Sequence, residues 1–338
     1  MLDIIWHSDA DCDSLTRRFN FDLRQSTKSR CCLLKEPAKP NLDLICNQRR
    51  IGMRKQYWGL CLLAILLMTC ASAGPLLRQT QTITAEGLVA KHLDSIGSAE
   101  ARTAIRSRVI SGTAATTVRR GGSGQMTGEA IMASMDNKSA IRMSFSDVQY
   151  SNDKMGFDGK SVTVGQLRPG VRSPLGQFLF SFDVAIKEGL IGGTLSSAWP
   201  LLDLRARNPK LRYAGTKTIS DRRTHVLKYL PRESSVLEVS LFFDAETFQH
   251  VRTEYERVLN TSMASQTEVT GRRQETRNKM VEEFSDFKKE GGLMLPHAYK
   301  LQLDIDRQNR SLLQEWVLIL TQFVFNESLD DRQFNVAK

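Results

Sequence analysis

The distribution of cysteine most constrains what this chain can fold into. All six cysteines of the 338-residue chain lie before residue 71, and the remainder contains none. A fold without cysteine has no disulfide, no cysteine-ligated metal and no thiol nucleophile. The stretch after residue 71 must therefore be stabilised by a hydrophobic core, and it is long enough to bury a large one.

The change in cysteine content coincides with the pattern of a secretion signal. A methionine and two basic residues at positions 53–55 precede an apolar run at 60–68, and small residues follow at 71–73. The apolar run is shorter than the about 20 residues that a membrane-spanning helix needs. We therefore predict a signal peptide over residues 53–73, with cleavage after Ala73 and export of the remainder.

The residues around the signal allow more than one arrangement of the N-terminus. Residues 1–52 have no clear hydrophobic periodicity and precede the signal, so we predict an upstream extension without a fold. An uncleaved anchor and a lipid anchor on Cys70 are alternatives to cleavage. Thr69 is unlike the Gly, Ala or Ser that usually precedes a lipid-attachment cysteine. With cleavage, the mature chain begins at Gly74 and forms one domain over residues 74–338.

Charge and motif spacing argue against several classes of function. The first 73 residues hold 11 of the 47 Lys and Arg and 7 of the 37 Asp and Glu, which leaves a net charge of about +6. These charges are scattered and no ladder of aromatic residues accompanies them, so nucleic-acid binding is not predicted. No Gly-x-Ser-x-Gly motif and no histidine pair with metal-ligand spacing occurs in the sequence. We therefore predict a protein that is not an enzyme and that uses no metal or cofactor.

The titratable residues of this region are predicted to be structural. His92 falls on the apolar face of a helix and is predicted to be a packed core residue. His225 and His250 are predicted to lie in strands, and His297 in a turn. Three carboxylates close together in the sequence are expected to be exposed charges: Glu282, Glu283 and Asp286.

Hydrophobic periodicity predicts one helix followed by many short strands. Thr84 is a suitable N-cap for an amphipathic helix that ends at Ile96. From residue 106 onward apolar residues alternate with polar ones, and turn signals such as Asp158-Gly159-Lys160 separate the alternating stretches. This pattern favours an antiparallel sheet.

One stretch interrupts the alternating pattern. Residues 174–207 are rich in Phe, Leu and Gly and are predicted to form two short helices joined at a pair of glycines. Strands resume after Pro209, except over residues 261–277, which are polar and are predicted to be an exposed loop or a frayed hairpin. The chain is therefore predicted to be α+β, with a helical insertion in the middle of a sheet.

Three segments, in their order along the chain, resemble a known family. They are Phe242-Phe243-Asp244-Ala245-Glu246-Thr247 running into Val251-Arg252, Phe284-Ser285-Asp286-Phe287 followed by Gly292-Leu293-Met294-Leu295-Pro296, and Phe323-Val324-Phe325-Asn326. Together they are similar to the lipoprotein-carrier superfamily that includes LolA and LolB, in particular its outer-membrane lipoprotein-sorting-like branch. The resemblance covers roughly residues 85–338. It implies a strongly curved antiparallel sheet, an unclosed β-barrel, with helices across its concave face.

The resemblance also implies a function. Members of the family hold the acyl chains of lipoproteins or lipids in a hollow between the sheet and a helical lid. For this chain it implies a periplasmic monomer that meets an inner-membrane exporter or an outer-membrane acceptor. We refer to residues 174–207 as the lid segment. Its predicted lipid-binding residues are Phe178, Phe182, Leu190, Ile191, Leu195, Trp199 and Leu202, and its predicted hinge residues are Gly189, Gly192 and Gly193.

Some expectations remain open at the level of sequence. Family members use an arginine to hold the lid shut, and Arg102, Arg106 and Arg108 are equally suitable matches. The apolar lid residues could instead fill the core, which would favour an envelope interaction or sensing module without a ligand. A third alternative is an exported hydrolase with a site assembled from distant residues. A cavity of ligand size, about 300–1,000 Å³, would favour the carrier.

Overall fold

The computed structural model describes residues 83–232, 236–257, 277–307 and 310–337. The chain divides into two units, Met1–Arg78 and Gln79–Lys338, and every described residue belongs to the second. The upstream extension, the signal peptide, its cleavage site and Cys70 lie outside the described residues and stay predictions. The loop predicted over residues 261–277 lies outside them as well, apart from Arg277, which begins a strand.

Twelve antiparallel strands form one sheet, in the order β5-β4-β3-β2-β1-β12-β11-β10-β9-β8-β7-β6. Strands β5 and β6 are its two edges, so the sheet is not closed, and the predicted α+β fold class is confirmed. The strands are β1 Ser107–Arg120, β2 Gly124–Met135, β3 Lys138–Phe145, β4 Asn152–Phe157, β5 Val162–Val164, β6 Lys210–Ile219, β7 Arg222–Leu230, β8 Leu237–Asp244, β9 His250–Arg257, β10 Arg277–Glu290, β11 Leu293–Arg307 and β12 Arg310–Phe325.

The first and last strands pair at the centre of the sheet. Strand β1 runs antiparallel to β12, with Arg108 opposite Phe325 and Thr116 opposite Trp316. Each half of the sheet is then a meander, β1 to β5 on one side and β12 back to β6 on the other. Because β5 and β6 follow one another in the chain but form opposite edges, the segment between them must cross the sheet.

The helices are short and have ordinary caps. They are α1 Ala85–Ile96, α2 Ala99–Ala104, α3 Pro174–Ser181, α4 Val184–Lys187 and α5 Leu204–Arg207, with 3₁₀ turns at Gly193–Leu195, Pro200–Asp203 and Asp331–Phe334. Helix α1 has the predicted bounds: the Thr84 hydroxyl accepts a hydrogen bond from the Gly87 N–H at 3.0 Å, and Gly97 follows its last residue. No helix among the described residues is long and apolar enough to cross a membrane.

The lid segment contains more and shorter pieces than the two helices that were predicted. Helices α3, α4 and α5 alternate in it with two 3₁₀ turns. Gly189, shortly after α4, and Gly192, just before the 3₁₀ turn Gly193–Leu195, have φ values of 70° and 82°, which L side chains rarely adopt. A Cβ on Gly189 would also lie 2.2 Å from the Ala198 carbonyl oxygen. The glycines therefore fold the chain back on itself instead of joining two helices.

The lid segment covers one face of the sheet from end to end. Helix α3 packs against β4 and β5, and the 3₁₀ turn Gly193–Leu195 packs against β9 and β11. One continuous apolar cluster lies between lid and sheet, and its bulkiest members, Trp199 and Trp316, are both about 1% exposed or less. A smaller cluster of Ala133, Ala140, Phe334 and Val336 holds the C-terminus. The predicted anchoring of the tail by Phe334 is confirmed.

Candidate functional site at the lid segment

A cleft of about 840 Å³ opens between helix α3 and one end of the sheet. This volume lies in the range of small-molecule sites, about 300–1,000 Å³. Helix α3 contributes Pro174, Gln177, Phe178, Ser181 and Phe182 to its walls, and the strand ends contribute Gly121, Arg257, Asn278, Ile305, Ser311 and Leu312. We call it the α3 cleft.

The wall formed by the strands follows from the register of the sheet. Asn278 on β10 is opposite Ile305 on β11, and Ile305 is opposite Leu312 on β12. Residues opposite one another in antiparallel strands project from the same face, so these three side chains form a continuous row. The row places one polar side chain beside two apolar ones.

The opposite wall depends on how helix α3 begins. The Ser173 hydroxyl accepts a hydrogen bond from the Gly176 N–H at 2.9 Å, and Pro174 occupies the first turn, where its missing N–H has no cost. Phe178 lies on this helix and Phe182 directly follows its last residue, and their ring centroids are 4.9 Å apart. These two predicted lipid-binding residues form the apolar side of the cleft.

The other five predicted lipid-binding residues lie away from the α3 cleft. Leu190, Ile191, Leu195 and Trp199 are at most 5% exposed, and Leu202 is half-buried. Ile191 and Leu195 border a second void of only about 10 Å³, which holds no more than one water molecule. In the described part of the chain these five side chains pack against protein, and their contact with an acyl chain stays a prediction.

Arg108 joins the sheet to the lid segment. Its guanidinium is 2% exposed, and Nη1 donates a hydrogen bond to the Thr194 carbonyl oxygen at 2.6 Å. Burial lowers the pKa of Arg108 to about 10. Of the two other arginines that the sequence left open, Arg102 bonds to carbonyl groups at the end of α1 and Arg106 is exposed. Among the three candidates only Arg108 touches the lid.

Glu282 is the second such connection, and its predicted exposure is wrong. Its carboxylate is fully buried and accepts hydrogen bonds from the Gly192 N–H at 2.8 Å, from the Tyr255 hydroxyl at 2.6 Å and from the Tyr299 hydroxyl. Burial raises the pKa of Glu282 to about 7, and the three hydrogen bonds oppose that rise. The alternation of side chains along the strand indicates this burial, since Glu282 projects to the same face as buried Met280 and Phe284.

The histidines build an aromatic cluster under the lid segment. The Trp199 indole N–H donates to His92 Nε2 at 3.1 Å, and His92 Nδ1 lies 3.0 Å from the Phe248 carbonyl oxygen. Burial lowers the pKa of His92 to about 4, so this ring is neutral. His250 stacks on Trp199 with centroids 4.6 Å apart. The predicted core position of His92 is confirmed, and no group of His, Cys, Asp or Glu in the described ranges could hold a metal ion.

The predicted position of His297 is wrong. It lies within β11 and not in a turn, because the turn closes at Gly291-Gly292 and the strand begins at Leu293. The ring is 8% exposed, and its Nε2 lies 3.1 Å from a Glu290 carboxylate oxygen. His225 and His250 lie in strands as predicted.

The chain is similar to several solved structures, at low sequence identity. No protein-family model matches the chain, and the comparison with curated proteins gives no significant match. Among solved structures, the chain is similar to a LolA superfamily protein of Nitrosomonas europaea, with 14% identity and a TM-score of 0.43, over 75% of this chain and 98% of that one. A DUF1329 family protein of Desulfovibrio piger has 10% identity and a TM-score of 0.37, over 74% and 97%.

A third similar structure is an outer-membrane lipoprotein-sorting protein domain of Vibrio parahaemolyticus. It has 11% identity and a TM-score of 0.34, over 73% of this chain and 97% of that one.

Proposed function

We propose that this protein binds the acyl chain of a lipid or lipoprotein and carries it through the periplasm in outer-membrane lipoprotein sorting. The observation that carries the proposal is the α3 cleft of about 840 Å³. Its apolar wall combines Phe178 and Phe182 of the lid segment with Ile305 and Leu312 of the sheet. The sequence motifs and the predicted export signal support the same function.

The chemistry of this wall suits an acyl chain. Such a chain has almost nothing to hydrogen-bond, so its binding must come from apolar area removed from water, at about 25 cal/mol per Å². Phe178 and Phe182 are buried and fixed by their helix, so little side-chain entropy is lost when a chain packs on them. The open side of the cleft leaves the polar end of the ligand in contact with water.

Movement of the lid segment would enlarge the site. We propose that such a movement brings the acyl chain to the five deeper residues, Leu190, Ile191, Leu195, Trp199 and Leu202. Gly189, Gly192 and Gly193 have positive φ values and are suitable hinges, since they lie just before the Arg108 contact at Thr194 and include the Glu282 contact at Gly192. These two side chains would hold the lid closed when no ligand is bound.

We further propose that the protein acts as a monomer without catalytic activity. Its partners would be an inner-membrane exporter that loads the acyl chain and an outer-membrane acceptor that receives it. A carrier between two membranes needs binding that is reversible, so a cleft that is partly open suits it better than a sealed cavity.

The test uses the full chain, expressed with its own N-terminal residues and purified without detergent. Organic extraction followed by mass spectrometry should recover acyl species, and a fluorescent fatty acid should bind. Phe178→Ser and Phe182→Ser should each weaken that binding, because each removes an apolar ring from the wall of the cleft and replaces it with a hydroxyl. Phe180→Ser is the matched control, because Phe180 lies on the same helix but is 53% exposed and outside the cleft. Recovery of no acyl species together with absence of fatty-acid binding would overturn the proposal.

A second candidate is an envelope interaction or sensing module that carries no ligand. The packing of Leu190, Ile191, Leu195 and Trp199 at 5% exposure or less favours it. In that case neither the wild type nor any of the three serine variants would bind the fatty acid, and Phe178→Ser would only lower the stability of the fold.

A further inference from the structure

The α3 cleft has polar residues beside its apolar ones. Arg257, Asn278 and Ser311 lie on the strand side next to Ile305 and Leu312, and Gln177 and Ser181 lie on the helix side next to Phe178 and Phe182. None of the eleven lining residues, all within the described ranges, is acidic. The cleft therefore combines an apolar wall with a positively charged rim.

Asn278 has an unmet hydrogen-bonding requirement. The residue is 7% exposed, and its Oδ1 atom has no hydrogen-bond partner in the described structure. Its neighbours in the row, Ile305 and Leu312, have apolar side chains that cannot donate. A buried acceptor without a donor is unfavourable, because it has lost its water and gained nothing in exchange. A ligand that brings an N–H or O–H group to this point would remove the cost.

Arg257 supplies the charge next to this acceptor. Glu256 and Lys279 are opposite one another in β9 and β10, so Arg257 and Asn278 are the next neighbours at the ends of the two strands. The Arg257 side chain is exposed at the cleft, and it forms no ion pair with another residue of the described ranges. An accessible guanidinium attracts anions where the described lining residues include no carboxylate, and its planar fork suits carboxylate or phosphate.

From these contacts we propose that the α3 cleft selects an anionic amphiphile that carries a hydrogen-bond donor between its acyl chain and its charge. The acyl chain packs on Phe178, Phe182, Ile305 and Leu312. The carboxylate or phosphate pairs with Arg257, and the amide N–H or hydroxyl donates to Asn278 Oδ1. This inference rests on the proposed function, because it names the head group of the ligand whose chain that function requires.

Simple probes separate the three requirements. Displacement of a bound fluorescent fatty acid is measured with N-palmitoylglycine (an anion with an amide N–H), palmitate (an anion without a donor at neutral pH) and hexadecyltrimethylammonium (a cation). N-acetylglycine has the same head group as the first probe but no long chain. We expect N-palmitoylglycine to displace at about tenfold lower concentration than palmitate, the cation to be weakest, and N-acetylglycine to have no effect.

Variants assign each preference to its residue. Asn278→Leu should abolish the advantage of N-palmitoylglycine over palmitate while both still bind. Arg257→Glu should reverse the preference for anion over cation. The difference between this variant and the wild type in anion binding should shrink at high salt, where exposed charges are screened. Arg212→Glu is the matched control, because Arg212 is exposed on β6 and does not line the cleft.

The outcomes separate this inference from the proposed function. If the fluorescent fatty acid does not bind the wild-type chain, the proposed function fails and the inference with it. If the fatty acid binds but the three long-chain probes displace it equally, the carrier function stands and the head-group selection is wrong. Equal effects of Arg257→Glu and Arg212→Glu would likewise refute the role of Arg257.

Discussion

The Gly192 N–H donates a hydrogen bond to the Glu282 carboxylate at 2.8 Å, so an ionisable side chain of the sheet holds the backbone of the lid segment at one of the predicted hinge glycines. The same carboxylate accepts from Tyr255 on β9 and Tyr299 on β11. Three neighbouring strands and the lid therefore meet at one buried ionisable group. The protonation state of Glu282 then affects both the stability of the fold and the attachment of the lid.

Unfolding should depend on pH through Glu282. Its folded pKa of about 7 lies above the ordinary value of 4.5, because burial disfavours the carboxylate. Between these values the folded state binds the proton more tightly than the unfolded state does, so this group stabilises the fold at pH 5 and its contribution is lost as the pH rises through 7. The expected loss is on the order of 1–3 kcal/mol in the free energy of unfolding.

Denaturant unfolding of the wild type and of Glu282→Gln at pH 5 and pH 8 measures this contribution. The variant should lose less stability between the two pH values, since its amide does not titrate. His92 has the opposite effect, because its folded pKa of about 4 lies below the ordinary value and the fold loses stability as the pH falls. Both proteins contain His92, so its effect cancels when the variant is compared with the wild type. Equal pH dependence in the two proteins would contradict the assignment.

Removal of the Arg108 guanidinium should loosen the lid segment. Arg108→Leu deletes the hydrogen bond to the Thr194 carbonyl and leaves that buried acceptor unpaired. We expect faster amide hydrogen exchange in peptides that cover residues 190–199, by about tenfold, with Arg108→Lys intermediate. Arg102→Leu is the control, because Arg102 bonds to the end of α1 and not to the lid. Unchanged exchange in the lid peptides of Arg108→Leu would show that this contact does not hold the lid.

Gly189→Ala should be more destabilising than Gly170→Ala. Both glycines have positive φ, 70° and 76°, so both substitutions cost about 1 kcal/mol in backbone strain. Only at Gly189 would the new Cβ also clash, 2.2 Å from the Ala198 carbonyl oxygen, whereas nothing lies within 4 Å at Gly170. Denaturant unfolding should therefore give Gly189→Ala a free energy of unfolding lower than that of Gly170→Ala by about 1–3 kcal/mol. Equal free energies of unfolding for the two variants would show that the backbone near Ala198 moves aside without cost.

Truncation of Phe334 should test the attachment of the C-terminus. The side chain is fully buried and packs with Ala133, Ala140 and Val336 against the outside of β2 and β3. Phe334→Ala should lower the free energy of unfolding by about 3–5 kcal/mol. The exposed Phe180 gives the matched control, and Phe180→Ala should change stability by less than about 1 kcal/mol. A similarly small loss in Phe334→Ala would show that the tail is dispensable.

The sequence predicted the sheet better than it predicted the site. Alternating residues and turn signals identified the strands, and the glycine-rich apolar stretch located the lid segment, because these are local patterns. The charge of Glu282 predicts exposure, whereas its phase in β10, shared with buried Met280 and Phe284, predicts burial. The pairing of distant strands lies beyond local patterns altogether. Arg257, Asn278 and Leu312 meet in the cleft only through the register of β9 to β12, which no window of sequence displays.

The central pairing of β1 with β12 has a consequence for how the chain is made. The Arg106 N–H bonds to the Asn326 side chain, 220 positions away, at 2.9 Å. A polypeptide that emerges N-terminus first thus leaves one edge of β1 unpaired until β12 has been synthesised. Such long-range pairing forms slowly. The central pairing is therefore a late event in folding, and until it forms the free edge of β1 is open to pairing with other chains.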